Sequence, residues 1–196
     1  MKKERFKILL ASILPKKLGD KPHKALALAS IIEGIDKGIY NQNKFYFDEV
    51  FRKLFTDLFK QFATDKDRDR PYNPFFHLRS SGFWFLKPRL GHELELESIT
   101  TIGGPGELME LVEYAYLDDE FYEYLFIKDN REEIKRYIFR SLQESIGKGS
   151  DTNWVSQNKF NYSKSQEHNE VFEVTKSPAI GKFPHEQKAI ATIIEQ

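Results

Sequence analysis

The sequence has no cysteine in 196 residues, which removes disulfides, thiolate zinc sites and cysteine nucleophiles together and fits a reducing compartment. Zinc-finger recognition of DNA is excluded with them. Long apolar runs are also missing: no stretch approaches the roughly 20 consecutive apolar residues that a membrane span needs. Residues 1–17 begin basic and carry a short apolar stretch, but Arg5, Lys7 and Pro15 interrupt it before a signal-peptide core forms. A cytoplasmic protein without membrane contact is expected. There is no internal repeat, and there is no net charge, since 30 Lys and Arg face 30 Asp and Glu.

That zero hides an uneven distribution. Residues 1–91 hold 19 Lys and Arg against 10 Asp and Glu, residues 92–146 hold 5 against 14, and residues 147–196 hold 6 of each. If the first two regions fold onto opposite sides, one face offers the positive field that DNA phosphates require. Two solvated charged faces are the alternative.

Catalytic motifs are equally scarce. The His and acid neighbours His92-Glu93, His168-Asn169-Glu170 and His185-Glu186 lack metal-site spacing, and there is no HExxH. The GGPG run at Gly103 to Gly106 lacks the Lys-Ser/Thr of a phosphate loop, so it reads as a turn ahead of a helix. No catalytic residue, metal or cofactor is expected.

What is present is strong periodicity. Phe6, Leu9, Leu10 and Ile13 share one face of a first helix. From Pro22 to Ile39 apolar residues recur at three- and four-residue spacing, giving a largely buried helix with Asp20 as its cap, Pro22 in its first turn and Gly38 at its end. A short extended piece is expected at Phe45 to Phe47. Asp48 caps another helix, striped by Val50, Phe51, Leu54, Phe55, Leu58, Phe59 and Phe62 and ending near Thr64. Residues 65–74, DKDRDRPYNP, read as a loop.

Residues 75–88, FFHLRSSGFWFLKP, alternate around Ser80 to Gly82 and predict a hairpin that puts His77 and Arg79 on one strand face. Its aromatics Phe75, Phe76, Phe83, Trp84 and Phe85 are expected in the core rather than as base-stacking platforms. A third strand is predicted over Leu94 to Ile99. Helices follow with Leu108, Leu111, Val112 and Ala115, then over Leu117 to Ile127, then over Arg131 to Ile146 with an Asn130 and Glu133 capping pair and a stop at Gly147. The expected fold is α+β, a mainly helical single domain over 1–146 with a small antiparallel sheet. Residues 147–196, with a short strand at Val171 to Val174 and a helix from Pro184 to Ile194, read as a linker and extension that opens a further domain or docks on the first.

Two motifs stand out: KPHK at residues 21–24 and, about fifty residues on, PYNPFFHLRSSGFWFL. Together with Gly103 and Gly104 they resemble the sulfur-binding domain at the front of HNH-type, phosphorothioate-dependent restriction endonucleases, over roughly residues 15–145. Family members often carry Pro after the HK, where this chain has Ala25, and an aromatic just before the hairpin Pro, where it has Asn73 preceded by Tyr72. The resemblance implies double-stranded DNA carrying phosphorothioate linkages as partner, with a nuclease domain attached or associated.

Such a linkage replaces one phosphate oxygen by sulfur, which is larger, more polarisable and a poorer acceptor. A reader therefore needs an apolar wall, for which Tyr72, Asn73, Pro74 and His77 are candidates. It also needs cations, for which Lys21, His23, Lys24, His77, Arg79, Lys87 and Arg89 are candidates. Taken singly, each histidine also fits a hydrogen-bonded structural role, and Arg79 also fits a pair with a neighbouring acid. Two rival functions remain open: a nuclease collecting metal on Glu93, Glu95 and Glu97 along one strand face, and a helical module whose acidic half binds a protein.

Overall fold

The computed structural model describes residues 2–147. The readings made for residues 148–196 lie outside the described residues.

In chain order the elements are α1 (Lys2–Ala11), α2 (His23–Asp36), α3 (Glu49–Phe62), α4 (Tyr72–His77), a 3-10 turn (Leu78–Ser81), β1 (Trp84–Pro88), α5 (Glu93–Ser98), α6 (Pro105–Leu111), β2 (Val112–Leu117), α7 (Asp119–Phe126) and α8 (Lys128–Ser145). The fold is α+β, with helices around one two-stranded antiparallel sheet.

Helix α2 sits at the centre, because a helix apolar on every side must be covered on every side. Residues 25–32 are all buried, Ser30 included, whose hydroxyl donates to the Leu26 carbonyl at 2.7 Å. Helices α3, α4 and α8 pack on it. Its C-terminal end is fixed to α8 by charge. Lys135 donates to Glu33 at 2.5 Å and to Asp36 at 3.0 Å, and Arg131 pairs with Asp36. Burial alone would lower the Lys135 pKa, but the Glu33 and Asp36 carboxylates outweigh it and hold the ammonium above its ordinary value.

Helix α3 starts as its sequence suggests, with the Asp48 carboxylate accepting from the Phe51 amide at 2.9 Å. Asp20 does not cap α2. Its carboxylate accepts from the Lys16 and Lys17 amides instead, at 2.9 and 3.2 Å, and Pro22 occupies the cap position. Helix α8 begins at Lys128 after Ile127, three residues ahead of the expected start, so Asn130 and Glu133 lie inside it rather than capping it.

The expected hairpin is not formed. Residues 72–81 are helical, and β1 pairs across a long connection with β2, Trp84 opposite Leu117 and Phe85 opposite Tyr116. Phe75, Phe76 and Leu78 are buried while Asn73 and Ser80 are exposed. Over so few residues that spacing satisfies a helical period as well as an alternating one. Pro71 and Pro74 sit at and within the first turn, where a missing amide hydrogen costs nothing. Gly82, at φ 77°, ends the run in the left-handed region that glycine adopts without strain. Leu94 to Ile99 is likewise not a strand, since residues 93–98 form α5. Val112 and Ala115 belong to β2, not to the helix before it.

The inner face of the sheet is keyed by Trp84. Its indole stacks on Phe45 at 5.7 Å, meets Phe75 edge-on at 5.2 Å and donates to the Phe75 carbonyl at 2.9 Å. Phe45 in turn bridges Ala115 of β2. Phe75, Phe76, Phe83 and Trp84 are thus core, and only Phe85 of that group is exposed, on the outer face against Tyr116. Trp84→Phe keeps a ring but leaves the Phe75 carbonyl without its donor and opens a void. An unfolding free energy lower by about 1–3 kcal/mol in a urea titration is expected, and an unchanged midpoint contradicts this packing.

Candidate nucleic-acid interface

Because the middle of α2 is covered on all sides, only its ends reach the surface, and at the first turn it meets α4. The two sequence motifs converge on one open cavity of about 570 Å³. Lys21, His23 and Lys24 line it from the α2 start, and Asn73, Pro74 and His77 line it from α4. Ile13, Leu14 and Pro15, from the turn after α1, complete an apolar wall with Pro74. That turn is pinned by Ser141, whose hydroxyl donates to the Pro15 carbonyl at 2.8 Å.

The cationic side is held by specific bonds. Lys24 Nζ donates to Ser80 Oγ at 2.9 Å, and Ser80 Oγ donates to the His77 carbonyl at 3.0 Å, so the α2 start is tied to the end of α4. Burial lowers the Lys24 pKa from its ordinary value. The pKa of His77 is lowered by burial first, then by the Lys24 and Arg79 charges. Both effects favour the neutral ring. The ring of His23 lies 5.7 Å from that of Phe59, with Nε2 3.2 Å from the Arg68 carbonyl and Nδ1 3.9 Å from Asp67. Pro22 offers no side-chain cap, which leaves the first-turn amides of α2 without one.

The other candidates sit elsewhere. Tyr72 is half-buried and does not line the cavity. Arg79 does not share a strand face with His77, because both lie in the helical run. Its guanidinium rests 4.0 Å over the Phe76 ring and donates to the Leu96 carbonyl at 2.8 Å and to that of Ile99. It braces α5 while contributing charge near His77. Lys87 is exposed on the outer sheet face, and Arg89 donates to the Met109 carbonyl at 2.7 Å; neither lines the cavity.

Lys66, Arg68 and Arg70, which do line it, are new relative to the sequence reading, together with Ile13, Leu14 and Pro15. The alternating DKDRDR run was the available signal for the three cations. In α5, Glu93, Glu95 and Glu97 no longer share the face that a strand would give them. Among the described residues no group of three or more His, Asp and Glu could hold a metal ion.

No protein-family model matches the sequence, and no curated protein matches it. The fold is similar to that of a solved sulfur binding domain. That structure is the sulfur binding domain of SprMcrA complexed with phosphorothioated DNA, which superposes with a TM-score of 0.52 at 15% identity, covering 74% of this chain and 94% of that one. The similarity is one of fold. No helix among the described residues is long and apolar enough to cross a membrane.

The geometry around His77 is testable in the free protein. With a folded pKa below 6.5, His77 favours the folded state above its ordinary pKa, and that contribution is lost as pH falls through the lowered value. An NMR titration of its ring is expected to give a midpoint below 6.5, rising in Lys24→Met as a neighbouring positive charge is removed. A midpoint at or above 6.5 in the parent contradicts the arrangement.

Proposed function

We propose that this chain binds double-stranded DNA carrying phosphorothioate linkages, seating the sulfur-bearing phosphate in the cavity between the α2 start and α4. The observation that carries the reading is the convergence of KPHK and Asn73-Pro74-His77, fifty residues apart, on one cavity with an apolar wall and a cationic edge. The binding partner in the SprMcrA domain structure supports the same reading.

The two surfaces divide the work. Pro74 with Ile13, Leu14 and Pro15 shelters the weakly hydrated sulfur, and the His77 ring, whose charged form burial and the Lys24 and Arg79 charges disfavour, extends that wall with the stem of Asn73. Lys24, Lys21 and the uncapped amides at the α2 start hold the phosphate, which keeps its negative charge after substitution. Discrimination of this size of atom in one pocket is worth about 1–3 kcal/mol, or roughly 10- to 200-fold. Binding without chemistry makes residues 1–146 the recognition domain of a cytoplasmic, modification-dependent restriction system, with cleavage left to an attached or associated nuclease.

Asn73→Asp tests the wall. It changes size little but sets a carboxylate beside an anion, so it weakens binding to modified DNA more than to plain DNA, and the modified-to-plain affinity ratio falls toward one. In the parent, the two phosphorus stereoisomers differ in affinity, because only one directs sulfur at Pro74. Equal binding of both isomers and of plain duplex by the parent, measured by fluorescence anisotropy, contradicts the reading.

A further inference from the structure

The alternating loop ahead of α4 is sorted by charge sign. Two of its three acids, Asp67 and Asp69, bond toward the fold, while Asp65 is exposed. The Asp67 carboxylate accepts from the Thr64 amide and hydroxyl, both at 2.9 Å, and lies 3.9 Å from His23. The Asp69 carboxylate accepts from the Thr56 hydroxyl of α3 at 2.8 Å. Between them, the Arg68 carbonyl meets the His23 ring at 3.2 Å. Three consecutive residues are thus tied to α2, α3 or the loop's own base. The bases do the opposite: Lys66, Arg68 and Arg70 are exposed, line the cavity that holds Pro74 and His77, and pair with no acid among the described residues. Unpaired cations side by side repel one another, and a loop that keeps them together is stabilised only by its anchors or by an arriving anion.

We infer that this loop is a phosphate clamp: Lys66, Arg68 and Arg70 bind DNA backbone phosphates flanking the linkage seated in the cavity, while Asp67, Asp69, Thr56 and His23 are positioning residues. The inference rests on the reading that the cavity receives DNA, but it addresses charge rather than sulfur. Ammonium and guanidinium groups recognise the phosphate charge, which a phosphorothioate retains, so the clamp raises affinity for modified and plain duplexes alike.

The acids supply a test by sign. Asp69→Ala removes a negative charge beside the site, so long-range electrostatics alone tightens DNA binding, whereas loss of the anchor weakens it. Thr56→Val breaks the same bond with every charge retained. The experiment measures binding of a short unmodified duplex, and of its phosphorothioate counterpart, across a salt series for the parent, both anchor variants and the combined Lys66→Gln, Arg68→Gln, Arg70→Gln variant, with thermal melting to show that each is folded. The combined variant is expected to lose about 0.9 of salt slope for each phosphate contact removed. Both anchor variants are expected to weaken binding several-fold with the modified-to-plain ratio unchanged. A parent-like slope in the combined variant overturns the clamp even where sulfur discrimination persists, and tighter binding by Asp69→Ala overturns the positioning role. A clamp-dependent slope with a ratio of one keeps the clamp and removes the sulfur reading, and no binding to either duplex overturns both.

Discussion

The burial of α2 on all sides is the constraint on which the rest of this structure depends. Ala25 through Ile32 leave no face for solvent, so other helices must wrap the element, and only its ends are left to interact. Each end is then fixed. At the C-terminus Glu33 and Asp36 meet Lys135 and Arg131 of α8, and at the N-terminus Lys24 meets Ser80 while His23 meets the Arg68 carbonyl. A helix locked at both ends presents its first turn in one orientation, which lets two short motifs far apart in sequence form a single wall and edge. Pre-organisation of this kind limits the ordering cost that binding must overcome.

The same constraint explains which residues sit at the site. The turn after α1 is held on α8 through Ser141, and this brings Leu14 and Pro15 against the α2 start. Helix α4 packs on α2 through its aromatic side, leaving Asn73 and His77 toward the cavity. The regional charge imbalance follows the same plan. Five cations around the cavity, Lys21, Lys24, Lys66, Arg68 and Arg70, come from the basic first half of the chain, and Asp20 and Asp67, also in its lining, have carboxylates bonded to backbone amides.

Much of this was legible in the sequence because burial leaves a periodic trace. The stripe of α2, the Asp48 cap and the core placement of Phe75, Phe76, Phe83 and Trp84 read correctly, and so did the stripe of α3 apart from Val50, which is exposed, and Phe59, which is half-buried. The segment from Phe75 to Ser81 misled because its apolar spacing is too short to separate a strand from a helix, and Glu93 to Ser98 failed for the same reason. Asp20 was assigned to the nearer helix start although the backbone bends so that Lys16 and Lys17 reach it first. Ile13, Leu14 and Pro15 were not legible as site residues, since a wall assembled from a turn carries no periodic signal. Arg79 shows the limit of residue type alone: a guanidinium suits phosphate, but here the carbonyls of Leu96 and Ile99 take it.

The central claim is that the cavity between the α2 start and α4 senses sulfur itself, beyond the charge of a phosphate. Backbone amide shift mapping with two duplexes of identical sequence, one plain and one carrying a single stereodefined phosphorothioate, tests it most directly. The account predicts that both duplexes perturb Lys66 to Arg70, and that the difference between them concentrates at Lys24, Asn73, Phe75 and His77. Identical maps for the two duplexes, or a difference confined to the outer sheet face around Phe85 and Tyr116, would contradict it.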